Sequence, residues 1–328
     1  MARLVSLEKV VDDGQHNSMT DLARWSPAHA TGEPDYWLAY RSGERHESTP
    51  PGEVVLLRSS DASNWKPAAR LSSGMDDRDP KLVADGERLL CYFGSHDEQC
   101  TPDGERVPGT TRLTYTHVSS TSDGLHWEAP ARVFGPSWWL WAPKRFEDGF
   151  WSTAYGMDAS DHAISVILAH SPDGYRWRRH ATLLENREGN EGALFRHTDG
   201  RMLAVVRGSG DETFLFEART PYTEWTRRQL PHWLHAPALA EVNGQLIAAG
   251  RDRDGAGGYV TRLWSLEGAE STELLDLPSG GDTSYCGLAC AADGSLAVSY
   301  YSQHEFLARD DFRICEKPSA VYVARVEL

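Results

Sequence analysis

"TSYCGLACAADGSLAVSYY", residues 283–301, sets two short runs of strand-forming residues on either side of Asp293-Gly294. Small apolar, Val and Tyr residues suit a half-buried strand, and Asp-Gly favours the positive-φ backbone of a tight hairpin, type I′ above all. The pattern recurs in "KLVADGERLLCYF" (81–93), "KRFEDGFWSTAYG" (144–156), "ALFRHTDGRMLAVVR" (193–207) and "ALAEVNGQLIAAGR" (238–251). The Asp-Gly or Asn-Gly pairs begin at 85, 148, 199, 243 and 293, so they are 63, 51, 44 and 50 residues apart. A strand-built repeat of roughly 45–60 residues is the signature of a propeller blade.

A second element recurs out of phase with the first. "SSDASNW" (59–65), "TSDGLHW" (121–127) and "SPDGYRW" (171–177) share a pattern, and "TPYTEW" (220–225) is an eroded copy. Their Asp and Ser side chains suit turn amides, and the Trp suits packing between blades. These residues are therefore expected to be structural rather than catalytic.

Together the repeats define an all-β, six-bladed β-propeller in a single domain, residues 1–328. "MTDLARW" and "YWLAYR" open the first blade, with a longer loop in place of the Asp-Gly turn. In the last blade "VYVARVEL" (321–328) is the third strand, and the N-terminal "RLVSLEKVV" (3–11) is expected to supply the fourth and close the ring.

Composition narrows the function. A net charge of −15 argues against nucleic acid or an anionic membrane as the main partner. The five cysteines, Cys91, Cys100, Cys286, Cys290 and Cys315, share no CxxC spacing, so neither a disulfide framework nor a zinc site is expected. The first fifteen residues hold no apolar run of signal-peptide length, which suits a cytoplasmic protein, although a trimmed secreted one would have the same sequence.

The repeated turns on a six-bladed pattern resemble the sialidase superfamily over nearly the whole chain. Two segments carry the more specific likeness. "GNEGALFRHTDGRMLAVVR" (189–207) is similar to the sialidase stretch in which a glutamate opens one strand and an arginine closes the next, and residues 283–301 are similar to the segment with the tyrosine nucleophile. The resemblance implies Tyr285 as nucleophile, Glu191 as the base that activates it, and Arg207 as a carboxylate-binding arginine, with Arg251 a second.

Aligning the inner strands makes Met19, Asp79, Ala142, Glu191, Ala236 and Tyr285 equivalent, ringing one mouth of the channel. Asp79, Glu191 and Tyr285 are capable of proton transfer or nucleophilic attack, so they are the catalytic candidates. Arg41, Arg78, Arg207, Arg251, His46, His235, Tyr301 and Trp141 are the substrate-binding candidates, Trp141 as an aromatic platform for a sugar ring. A neutral tyrosine suits a substrate bearing a carboxylate beside the reacting carbon, where a carboxylate nucleophile would be repelled. The expected ligand is thus a small molecule or oligosaccharide, anionic, in a locally positive pocket. No cofactor is implied.

Two departures from sialidases point to a changed substrate or reaction. Ser18 stands where they carry their first arginine, and the loop "SGERHESTPP" (42–51) offers His46 and Glu47 where they carry the acid/base aspartate. Asp79 could supply the acid. Alternatively, Asp79 in "RDPKL" and Glu191 in "NEGALF" could act as a carboxylate pair, as in five-bladed glycosidases acting on furanosides. His16, His46, His96, His235 and His304 lie at strand ends, and ordinary ligand hydrogen bonding is expected of them rather than metal binding. The main expectation is a glycoside hydrolase. A lyase, cyclase or isomerase using the same groups, or a non-catalytic sugar-binding propeller, is the alternative.

Overall fold

A computed structural model describes residues 2–46, 51–97, 107, 113–157, 164–185, 189–268, 270–306 and 317–328, and no helix occurs among them. Glu47, Cys100 and Cys315 fall outside the described residues. The strands run from β1 (Arg3–Val11) through β2 (His16–Trp25), β3 (Asp35–Gly43), β4 (Glu53–Ser59) and β5 (Lys66–Leu71), the last four forming the first blade. The second blade is β6 (Asp76–Ala84), β7 (Leu89–Asp97), β8 (Leu113–Thr121) and β9 (Ala131–Phe134). In the third, the inner strand is split into β10 (Trp138–Leu140) and β11 (Lys144–Phe146), followed by β12 (Gly149–Gly156), β13 (Ser165–Ser171) and β14 (Arg178–Leu184). The fourth is β15 (Gly189–Arg196), β16 (Met202–Gly208), β17 (Thr213–Ala218) and β18 (Thr226–Leu230). The fifth is β19 (His235–Val242), β20 (Gln245–Arg253), β21 (Tyr259–Glu267) and β22 (Glu270–Leu277).

The sixth blade combines both chain ends: β23 (Thr283–Cys290), β24 (Leu296–Ser302) and β25 (Ala320–Glu327) continue onto β1, paired antiparallel from Arg3↔Glu327 to Val11↔Val321. This covers the edge that β25 would otherwise present, as the shortage of strands at the C-terminal end required. The chain is a six-bladed β-propeller.

The described residues contain six apolar clusters, one at each junction between neighbouring blades. The repeated turns feed these junctions. Asp61 Oδ1 accepts from the amides of Ser63 and Asn64, Asp123 Oδ1 from those of Leu125 and His126, and Asp173 Oδ1 from those of Tyr175 and Arg176. The Trp four residues after each Asp then reaches inward. Trp127 packs on Trp37 between blades one and two, and Trp177 on Tyr92 between two and three. The eroded copy behaves alike, since Trp225 Nε1 donates to Tyr222 O at 3.0 Å just as Trp177 does to Gly174 O at 2.9 Å.

The hairpins differ from expectation in turn type. Only Asn243-Gly244 has both residues at positive φ, 52° and 79°, as type I′ requires. At 197–201 and 291–295 the loops have three residues, closed by Gly200 N to His197 O and Gly294 N to Ala291 O, with the glycine alone at positive φ. An Asp side chain that bonds the following amides favours this wider loop; Asp199 and Asp293 both do so.

Candidate active site at the propeller mouth

Each inner strand carries one residue too many at the same height. Two residues of the inner strand oppose one on the second strand between Ser18 and Asp21, Arg78 and Lys81, Gly189 and Gly192, His235 and Ala238, and Ser284 and Gly287. In the third blade the split between Leu140 and Lys144 has three residues against two. Met19, Asp79, Ala142, Glu191, Ala236 and Tyr285 all fall in these bulged segments. Met19, Asp79, Ala236 and Tyr285 take positive φ, between 49° and 59°. Such conformations cost of order 1–3 kcal/mol each in a residue other than glycine. Their repetition in four blades makes them a property of the architecture, because a bulge bends the strand and re-aims a side chain.

The bulges bring Tyr285 and Glu191 together from blades six and four. The Tyr285 hydroxyl donates to Glu191 Oε1 at 2.7 Å. Glu191 Oε2 accepts from Arg207 Nη1 at 3.0 Å and from the Ala236 amide at 2.9 Å. Burial works to raise the Glu191 pKa, but the Arg207 charge and the two side-chain hydrogen bonds outweigh it and leave the carboxylate below its ordinary value. Tyr285 moves the other way, well above 10, through burial and the adjacent Glu191 charge. The pair is an ionised base holding a neutral phenol.

Asp79 differs from both. It is buried, Oδ1 has no hydrogen-bond partner, and burial pushes its pKa up to about 6, with the Glu191 charge adding to the rise. It is therefore a carboxyl that keeps its proton into the mildly acidic range.

The arginines separate by exposure. Arg207 and Arg251 keep 26% and 14% of their side-chain surface open and Arg78 keeps 10%, so all three can meet a ligand. Arg41 has none; it is locked on Asp76 at 2.7 Å and on the Arg45 carbonyl at 2.9 Å. The expectation that Arg41 binds substrate gives way to a structural role. Each of the other three also has a carboxylate: Arg207 with Glu191, Arg251 with Asp282 and Arg78 with Asp76. The mouth is thus a network of ion pairs in which Arg78 shares Asp76 with Arg41, so four arginines share three carboxylates. Guanidinium N–H groups left over from these pairs remain for a ligand, since each arginine offers five.

Two aromatic expectations are also corrected. Trp141 is 1% exposed, covered by Tyr285 edge-on at 5.5 Å and by Lys81 Nζ at 5.2 Å, so it supports the Tyr285 ring and cannot stack on a sugar. Tyr301 is fully buried and donates to Asp282 Oδ1 at 2.7 Å, bracing that carboxylate. Of the histidines, His235 lies beside Arg207 and Arg251, and its pKa is lowered to about 3 by burial and those charges, which makes it a neutral polar group. His46 and His16 converge on Asp282. His96 sits by Thr114 of its own blade and Trp139 of the third, and His304 by Ser302 and Tyr322 of its own blade.

Sequence reasoning missed Asp282, Asp76 and Tyr155. Tyr155 is half-buried close to Asp79 and Glu191, whose charges add to burial in raising its pKa well above 10. It closes the second strand of its blade as Arg207 and Arg251 do, a signal available in "WSTAYG". His16, His46 and Asp282 offer ligand atoms within 4.8 Å of one another, as do His232, Asp252 and Glu273. Arg251 and Arg78 bond directly to the first group and Arg262 to the second, and these charges oppose a cation at either.

No family model matches the chain, and no curated protein sequence does either. Solved structures do. A protein of unknown function from Dyadobacter fermentans DSM 18053 superposes with a TM-score of 0.80 at 17% identity, covering 100% of this chain and 99% of that one. The chain has the sialidase propeller fold. Trypanosoma rangeli sialidase in complex with the inhibitor DANA gives a TM-score of 0.69 at 11% identity over 98% of this chain, which spans 58% of that enzyme. The Hadza microbial sialidase Hz136 gives 0.66 at 15% identity, covering 94% of this chain and 65% of its own. At such identities the likeness is one of fold.

Proposed function

We propose that the chain is a retaining glycoside hydrolase acting on a sugar that carries a carboxylate, with Tyr285 as nucleophile. The observation that carries this reading is the 2.7 Å bond from the Tyr285 hydroxyl to an ionised, buried Glu191. A phenol with its pKa pushed above 10 is inert alone, and a fixed base is what activates it. In the first step Tyr285 Oη bonds to the anomeric carbon as its proton passes to Glu191 Oε1. The bond to the leaving oxygen breaks, its electron pair stays on that oxygen, and Asp79 supplies the proton. Arg207, Arg251 and Arg78 hold the substrate carboxylate with N–H groups not engaged by protein carboxylates. The neutral His235 and the Tyr155 hydroxyl complete the polar lining.

The test is aryl-alcohol release from a panel of α-sialosides, uronides and neutral furanosides by wild type, Glu191→Gln and Tyr285→Phe. Turnover of an acidic glycoside that falls about 100- to 10,000-fold in both variants supports the reading. Turnover of neutral sugars only, kept by Tyr285→Phe, transfers the chemistry to Asp79 and Glu191 as a carboxylate pair. No turnover across the panel favours a lyase, cyclase or isomerase, or a binding propeller.

A further inference from the structure

The loop after β3 ends its described part at His46, and this imidazole is held from both sides. Nδ1 lies 2.6 Å from Asp282 Oδ2, and Nε2 lies 3.1 Å from Arg78 Nη2. A guanidinium can only donate, so Nε2 accepts and Nδ1–H donates to the carboxylate. The ring is thus neutral, with its lone pair on the nitrogen facing Arg78. Asp282 is 3% exposed and braced by Tyr301 Oη at 2.7 Å, by Arg251 Nη2 at 2.9 Å and, through its own amide, by Gln303 Oε1 at 2.9 Å. Arg41 fixes the loop itself through the Arg45 carbonyl. A carboxylate that orients an imidazole, whose other nitrogen faces a ligand-accessible group of the mouth, here Arg78, is the arrangement of a preorganised general base.

We propose that His46, oriented by Asp282, is the general base that activates water to resolve the Tyr285 adduct. The inference rests on the hydrolase reading above. Binding of the substrate carboxylate draws Arg78 onto the ligand and uncaps Nε2. Water then gives a proton to Nε2 and its oxygen bonds to the anomeric carbon. The carbon–Oη bond breaks with its electron pair on Tyr285 Oη, which regains its proton from Glu191. The proton on His46 passes to Asp79, which lost one to the leaving group, and the site is reset. His46 side-chain exposure of 27% leaves room for that water.

The experiment is pre-steady-state turnover of whichever acidic aryl glycoside the wild type hydrolyses, with His46→Gln. The variant should still release a burst of aryl alcohol, while the following steady state falls about 100-fold. Intact-mass measurement should find one glycosyl unit retained on the protein, at Tyr285. Sodium azide, a nucleophile that needs no base, should restore turnover and yield the glycosyl azide. Asp282→Asn should slow the same step, and it carries the test where His46→Gln does not fold. Burst and steady state falling together, with no adduct and no azide rescue, would overturn the proposal and leave the hydrolase reading standing. Loss of wild-type turnover on chelation would overturn it in favour of an ion at His16, His46 and Asp282. A wild type inactive on every glycoside removes the hydrolase reading and this proposal together.

Discussion

The Tyr285 hydroxyl and the Glu191 carboxylate meet at 2.7 Å across the mouth, tying the sixth blade to the fourth. Tyr285→Phe keeps the ring's packing on Trp141 and removes only this bond. Glu191 Oε1 then loses its partner while buried, a cost of about 1–3 kcal/mol. Urea denaturation should show that decrease with an unchanged slope, and equal stability would mean that water replaces the phenol.

Asp79 connects chemistry to pH. Its folded pKa of about 6 lies above the ordinary 3.8, so the native state binds the proton more tightly than the unfolded chain. That contribution to stability is complete below about pH 4 and is lost as pH rises through 6. Asp77 shifts to about 6 as well, whereas His235, lowered to about 3, gives the opposite slope from 6.5 downward. The difference between Asp79→Asn and wild type isolates the one group. The variant should gain stability relative to wild type as pH rises from 4 to 7, and should lose proton transfer to the leaving group. A constant stability difference across that range would refute the raised pKa.

Asp282 has four cationic or polar partners, Arg251, Tyr301, His46 and His16, in a buried setting. Asp282→Ala strands Arg251 without its carboxylate, and breaking such a buried pair costs about 3–5 kcal/mol. Thermal denaturation should show the loss, and Asp282→Asn, which still accepts hydrogen bonds, should lose less. Equal losses from both would show that charge is not what the site requires.

Ring closure depends on Gly287, where a Cβ would collide with the backbone of Asp21 and Leu22 in the first blade. That backbone is fixed by its own blade, so Gly287→Ala should destabilise by about 1–3 kcal/mol or more, as overpacking does. Gly200→Ala is the control of opposite kind: its Cβ meets nothing, and its cost comes only from the positive φ of 81°. A Gly287→Ala protein as stable as wild type would mean that the sixth and first blades can separate at that level.

The sequence by itself determined the blade count, the closing of the last blade by residues 3–11, and the candidacy of Asp79, Glu191 and Tyr285. Those features rest on local chemistry, namely Asp-Gly loops, alternating strands and Asp-to-amide turns, repeated along the chain. What only the tertiary structure decided concerns pairs of residues far apart in sequence. Arg41 is equally an arginine closing a second strand, yet its side chain is consumed by Asp76, 35 positions on. Trp141 lies under Tyr285 rather than at the rim, and Asp282 is revealed as a site residue by its contacts with His46, 236 positions away, and Arg251, 31 positions away. A propeller mouth is assembled from one short segment of every blade. The partner of each side chain there is set by ring closure and bulge geometry, which no local pattern encodes.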